Sequence, residues 1–150
     1  HWPAAVGPQQ RGKFVRQYTY LPDFMATCIE LSGAEYPSDI PACEGQSFLP
    51  LLQGIDQPIH DAPIFWEHEG NAAVRWGKWK LVREYKKPWE LYDLSTDRTE
   101  MNNLAASNNK KRQEMIDMWE AWATKNQVSF PERFNMYNFL KHQQESKKAE

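Results

Sequence analysis

Cysteine is scarce: the 150-residue sequence holds only Cys28 and Cys43. Two thiols cannot knit a disulfide scaffold. Neither belongs to a C-x-x-C pair or lies near histidines at the spacing of a zinc site. Cys28 falls in the apolar pattern of a helix, so a buried structural thiol is the default expectation. A Cys28–Cys43 bridge would require an oxidising compartment. Long hydrophobic runs are missing too. None approaches the roughly 18 residues that a bilayer-crossing helix needs, so no membrane partner is expected. The sequence opens at His1 with neither an initiator Met nor a signal segment, in an irregular stretch with Pro3, Gly7, Pro8 and Gly12. The expectation is that an upstream part of the natural protein is missing. Charge of one sign is scarce as well. Against 18 Lys and Arg stand 20 Asp and Glu, for a net charge of -2 and no basic stripe, which argues against nucleic acid as a partner. Neither a phosphate-binding Gly-rich loop, nor a Ser nucleophile elbow, nor an H-E-x-x-H helix occurs.

What is present is a globular composition, 41% hydrophobic, 25% charged and 13% aromatic. A helix is expected over about 21 to 32. Pro22 suits its first turn, Asp23 complements its dipole, and Gly33 sits just past its end. Leu21, Phe24, Met25, Cys28 and Leu31 recur at three and four, giving one apolar face. Ser47 is a cap candidate for one or two turns up to Leu52. From about 63 to 94 the texture changes to short aromatic and β-branched runs. Gly70-Asn71, Gly77-Lys78 and Lys87-Pro88 punctuate them, as in an antiparallel meander of four strands. Asn108 or Asn109 can cap a helix over about 109 to 125. Met115, Met118, Trp119 and Trp122 form a stripe there that needs the sheet as its partner. A further short helix is expected at about 132 to 142, before a polar tail from Lys141 to Glu150.

The most polar cluster is Glu67-His68-Glu69-Gly70-Asn71, between two strands. Strand-connecting loops are where functional groups tend to sit, because the sheet fixes their position. His68 has the chemistry to donate to an anion or to exchange a proton. A local pairing of Glu67 and a solvent-exposed His68 would account for the same residues. Arg75, Lys78, Lys80 and Arg83 make a positive patch that suits either an acidic substrate or a solvated sheet face. Asp93, Asp97 and Glu100 have the residue types of a calcium loop. They lack its spacing and central Gly, and a turn capped by Asp97 and Arg98 fits better.

Two longer stretches resemble the C-terminal region of arylsulfatases. They are Phe65-Trp-Glu-His-Glu-Gly-Asn-Ala-Ala-Val-Arg-Trp-Gly-Lys-Trp-Lys-Leu-Val82 and Glu90-Leu-Tyr-Asp-Leu-Ser-Thr-Asp-Arg-Thr-Glu-Met-Asn-Asn-Leu-Ala105. Upstream, Asp23-Phe-Met-Ala-Thr27 is similar to the family's Asp-x-x-Pro-Thr helix. Glu44-Gly-Gln-Ser47 with Leu49-Pro-Leu-Leu52 is similar to its Gly-x-Ser-Leu-x-Pro-Leu-Leu segment, and His1-Trp-Pro3 to the end of an earlier strand. The matches keep family order over about residues 1 to 131.

The resemblance implies an α+β chain. Residues 1–58 would be the last segment of a large alkaline-phosphatase-like α/β domain, and 59–150 a subdomain of four antiparallel strands and a helix. It implies a parent enzyme that hydrolyses aryl or carbohydrate sulfate esters with a formylglycine made in a Cys-x-Pro-x-Arg motif and with a Ca2+ ion. Cys28 precedes Ile-Glu and Cys43 precedes Glu-Gly, so neither fits that motif, and the chain alone is expected to be inactive. The expected partners are the missing N-terminal sulfatase domain, for which residues 1–55 would expose an apolar face, and a sulfated small molecule or glycan. The location implied is periplasmic or secreted. The loop implied to line the substrate pocket supplies His68 first, then Glu69 and Asn71. Ala72 stands where many relatives have Arg, Ala26 where the helix motif has Pro, and Tyr20 where relatives often have His. The alternatives are a related phosphodiesterase or phosphonate hydrolase fragment, and a free-standing glycan-binding module.

Overall fold

The computed structural model describes residues 4–129. The segment His1-Trp-Pro3, the helix expected at about 132 to 142 and the polar tail lie outside them. The chain divides into two compact units, 1–61 and 62–150.

The first unit carries helix α1 (Leu21–Ser32) and the short helix α2 (Leu49–Gln53). Helix α1 begins after extended Tyr20 and ends at Gly33, whose φ of 66° is the left-handed stop that glycine allows. Its buried residues are not its apolar ones. Asp23 and Thr27 are buried, whereas Leu21, Phe24 and Met25 are 82%, 55% and 54% exposed. Cys28 is therefore exposed, not buried as its place in the apolar pattern suggested, because it shares the outward stripe. Both cysteines are free thiols.

The inward face is a polar joint. The Asp23 carboxylate accepts hydrogen bonds from the backbone amides of Tyr20 and Gln46, both at 2.9 Å. Thr27 donates to the Asp23 carbonyl at 2.7 Å and accepts from the Phe48 amide at 3.0 Å. Gly45 is needed at this crossing, since a methyl group there would lie 2.1 Å from the Pro22 carbonyl oxygen. Helix α2 starts one residue later than a Ser47 cap would place it, with Phe48 at its N-cap. The Ser47 hydroxyl still accepts from the Leu49 amide at 3.2 Å.

The second unit is a four-stranded antiparallel meander, β1 (Ile64–His68), β2 (Asn71–Trp76), β3 (Trp79–Arg83) and β4 (Glu90–Asp93), in sequence order across the sheet. Phe65, Val74, Leu81 and Leu91 are cross-strand partners in one row. Side chains directly opposite share a face, so this row faces one side of the sheet. Helix α3 (Asn109–Lys125) covers it with Met115, Trp119 and Ala123. Val74, Leu81, Leu91 and Met115 are fully buried. Phe65 stacks on Trp122 at 5.3 Å between ring centres, and Trp89 meets Trp119 edge-on at 5.6 Å.

Backbone groups on both edge strands are partly taken up, which makes the edges less open to further pairing. Trp119 donates its indole N–H to the Trp66 carbonyl on β1. On β4, Leu91 receives the Leu104 amide at 2.7 Å and gives its own N–H to the Asn103 side chain. Asn108 occupies the N-cap of α3 but its side chain makes no cap bond. It donates to Ser107 instead, and Asn109 serves Arg112.

Truncating a residue at the centre of this core removes contacts on every side. Met115→Ala is expected to lower the unfolding free energy of the second unit by about 2–5 kcal/mol. Half-buried Met118 should lose less on the same change. Denaturant melts of the two variants make the comparison.

Candidate functional site

The polar cluster forms the tip of the β1–β2 hairpin. His68 and Asn71 are Cα partners, leaving Glu69-Gly70 as a two-residue loop. Both loop residues have positive φ, 53° at Glu69 and 86° at Gly70, the twist that joins two strands most tightly. Gly70 is required twice over. Besides its φ, a methyl group at this position would lie 2.5 Å from the Tyr85 ring.

Inside the cluster the residues divide by task. Glu67 braces the turn, its carboxylate accepting the Gly70 amide at 2.7 Å. Asn71 accepts the Tyr85 amide on its side-chain oxygen at 3.0 Å, tying the tip to the chain that follows β3. That bond leaves the NH2 group of exposed Asn71 as a donor. His68 is exposed at the end of β1 and Glu69 is half-buried at the turn. As direct cross-strand partners, His68 and Asn71 share the sheet face opposite α3. The tip can therefore offer an imidazole and an amide side by side, with the Glu69 carboxylate next along the chain. Such a set suits an anion or a polyhydroxylated ligand.

The positive patch does not stay together as a site. Lys78 pairs with Asp93 at 2.6 Å, and Lys80 pairs with Glu100. The Arg83 guanidinium lies over the rings of Trp89 and Trp119, 4.4 and 5.4 Å from their centres. Its work is in the core. Lys78 and the Ser95 hydroxyl hold the Asp93 carboxyl down at about 2, from an ordinary 3.8. The amides of Asn102 and Met101 lower Asp97 in the same direction, so that Asp97 caps its own turn. Burial, followed by the hydrogen bond to Glu90, pushes Tyr92 up to about 12. Among the described residues no group of three or more His, Cys, Asp or Glu could hold a metal ion.

One cluster escaped sequence reasoning. His60 Nε2 donates to the buried Asp23 carboxylate at 2.8 Å, its ring stacked on Tyr18 at 5.6 Å and met edge-on by Tyr20. Asp23 suggested only a dipole contact, and His60, alone between prolines and an acid, carried no periodic signal. The available clue was the Asp–Thr pair spaced four apart, which places two polar groups on one helix face.

A sequence profile of the family described as "N-sulphoglucosamine sulphohydrolase, C-terminal" matches residues 1–129. Over 89 residues the chain is 32% identical to the choline-sulfatase of Rhizobium meliloti, covering 55% of this chain and 17% of that one. It is 31% identical to the N-acetylglucosamine-6-O-sulfatase of Bacteroides thetaiotaomicron, over 65% of this chain and 20% of that one. A solved sulfatase structure connected with the metabolism of multiple glycosaminoglycans by Bacteroides thetaiotaomicron superposes with a TM-score of 0.55 at 25% identity. That match covers 68% of this chain and 24% of the other. The chain thus spans about a fifth of the length of the curated relatives it matches. The solved neighbours have the alkaline-phosphatase-like fold.

The Asp93 shift gives a pH dependence with a definite sign. A carboxyl held below its unfolded value stabilises the fold above about pH 4, and that contribution disappears as the pH falls through about 2. Thermal melts between pH 6 and 2 should show a steep loss in the unmodified protein and a shallower one in Asp93→Asn. Equal slopes would mean that the Lys78–Asp93 pair does not carry the effect.

Proposed function

The chain belongs to the N-sulphoglucosamine sulphohydrolase C-terminal family, and from that premise we propose that it is the C-terminal part of a sulfatase acting on sulfate esters of carbohydrates. The observation that carries the reading within this chain is the braced hairpin tip. Glu67, Gly70 and Asn71 fix the turn, and His68 with Glu69 is left to meet a ligand. In this reading the tip lines the substrate pocket. His68 and the Asn71 amide donate to sulfate or sugar oxygens, and Glu69 accepts from sugar hydroxyls. The relatives named for sugar sulfates support a carbohydrate ester as the substrate class.

Residues 1–58 would then be the closing segment of the large α/β domain, and 59–150 the smaller subdomain. The exposed stripe of Leu21, Phe24 and Met25 is the surface that the rest of that domain would cover. Formylglycine, when present, supplies the nucleophile of such enzymes, and calcium offsets the charge of the sulfate. The residues of this chain do not fit either group. Neither cysteine stands in Cys-x-Pro-x-Arg, and the described residues hold no metal cluster. Both belong, in this proposal, to other residues of the whole enzyme. An envelope or secreted location agrees with the sulfated-glycan relatives. Among the described residues no helix is long and apolar enough to cross a membrane. Family membership favours this reading over a phosphonate hydrolase or a free-standing glycan-binding module.

Losing one donor to a charged ligand costs on the order of 1.5–3 kcal/mol, or about 10- to 100-fold. His68→Ala in the whole enzyme is expected to lower kcat/KM for a sulfated sugar by that factor without lowering the melting temperature. A change below twofold in both His68→Ala and Glu69→Ala would remove the tip from the pocket. The 150-residue chain alone should release no sulfate; release by the isolated chain would overturn the fragment reading.

A further inference from the structure

Most cations on the sheet and on α3 have partners. Lys78 pairs with Asp93, Lys80 with Glu100 and Lys111 with Glu114, and Arg83 lies over two indoles. Lys86 is different. It is exposed, and no carboxylate among the described residues pairs with it.

Its place is set by the turn that follows β3. The Lys87 amide donates to the Glu84 carbonyl at 2.9 Å and closes a turn over 84–87. Of the two central residues only Lys86 has a positive φ, 61°. Turns of this kind ordinarily take glycine or asparagine there, because a Cβ is strained at positive φ. A long side chain is a poor choice for such a backbone, and what it adds is a charge.

Tyr85 joins this turn to the hairpin tip. Its amide donates to the Asn71 side-chain oxygen, and its ring lies against Gly70. The Lys86 ammonium stands 5.1 Å from the centre of that ring. An ammonium has three N–H donors, so one over an aromatic face still has donors for an anion. The two turns bring the Lys86 cation, the His68 imidazole and the Asn71 amide to the same end of the sheet. The ring occupies the space against Gly70, so the ammonium meets a ligand beside the tip and not at it.

We propose that Lys86 is a specificity-determining residue that binds a second anionic group of the glycan, a carboxylate or a sulfate on the sugar next to the one held at the tip. The inference rests on the sulfatase reading and deepens it, narrowing the substrate class to glycans with anionic groups on two neighbouring sugars. A sulfated sugar with a neutral neighbour would use His68 and Asn71 and leave Lys86 idle.

The experiment uses the whole enzyme with Lys86→Gly and Lys86→Arg. Glycine removes the charge and relieves the positive φ, so the melting temperature should hold or rise. Arginine keeps the charge. Three disaccharides with the same sulfate ester are compared, whose neighbouring sugar is neutral, a uronic acid, or sulfated itself. Lys86→Gly should raise KM for one or both anionic neighbours about five- to tenfold at low salt. The substrate with the neutral neighbour should stay within twofold, and Lys86→Arg should restore the anionic ones. The difference should close at about 1 M salt, where charges are screened beyond about 3 Å. The anionic substrate that responds identifies the group as carboxylate or sulfate. Equal losses on all three substrates, or no loss on any, would overturn the proposal. So would a lowered melting temperature in Lys86→Gly, which would make Lys86 a residue that holds the turn. If the unmodified enzyme cleaves none of the three, the sulfatase reading fails and takes this role with it. Cleavage of all three, unchanged in Lys86→Gly, keeps that reading and removes only the role of Lys86.

Discussion

The second unit depends on one row of side chains. Val74, Leu81 and Leu91 come from three neighbouring strands and meet Met115 of α3 with no exposure at all. A four-stranded sheet without the helix would leave one apolar face to water, and a helix of 17 residues has little stability without a surface to lie on. Each removes the other's exposed apolar area. Everything at the rim follows from that closure. The tryptophans widen the core beyond the aliphatic row, and Arg83 sits against two of them as a cation on aromatic faces. The hairpin tips are carried at the ends of strands whose middles cannot move.

The first unit is organised on the opposite principle. Its inward helix face is polar, and its cohesion comes from Asp23 and Thr27 reaching the backbone of Gln46 and Phe48 and the ring of His60. A buried carboxylate is tolerated only where hydrogen bonds replace its lost water. Asp23 has three such partners. The apolar stripe of α1, by contrast, faces outward. A unit that buries its polar groups and exposes Leu21, Phe24 and Met25 has the surface of an internal segment of something larger. This physical observation agrees with a chain that spans a fifth of its relatives.

The α+β class was legible in the sequence because period and punctuation agreed. Breaks expected at Gly70-Asn71, where the turn is one residue earlier at Glu69-Gly70, and at Gly77-Lys78 separated strands with aromatic and β-branched residues, and α3 carried a stripe that needed a sheet. What failed was the inference from apolarity to burial in α1. The periodicity there identified a face correctly but could not say whether this chain or another surface covers it, so Cys28 was placed inside and is outside. The caps failed for a related reason. Ser47 and Asn108 are of the right type, but Ser47 stands one residue before the N-cap and accepts the Leu49 amide, and Asn108 at the N-cap donates to Ser107. His60 was invisible because its meaning lies in a contact with Asp23 across 37 positions. The hairpin cluster was legible as a location. The separate task of Glu67 was not, because Glu67 and Glu69 are chemically identical and only the fold puts the first at the end of β1, in reach of the Gly70 amide, and the second in the turn.

That division separates the residues that hold the shape of the loop from those that do not. Three residues keep the tip in place. Glu67 holds the Gly70 amide, Gly70 lies against Tyr85, and Asn71 holds the Tyr85 amide. Changing any of them disturbs the turn itself. His68 and Glu69 have no hydrogen-bond partner among the described residues, so no such bond fixes their side chains. Ala72, by contrast, is fixed by the fold, since its buried side chain sits on the helix side and is packed in the core. An Arg at that position would have to turn a charge into the apolar layer or displace the strand. The absence of Arg there follows from packing in this chain as much as from recognition. His68 and Asn71, direct cross-strand partners, lie on the other face of the sheet.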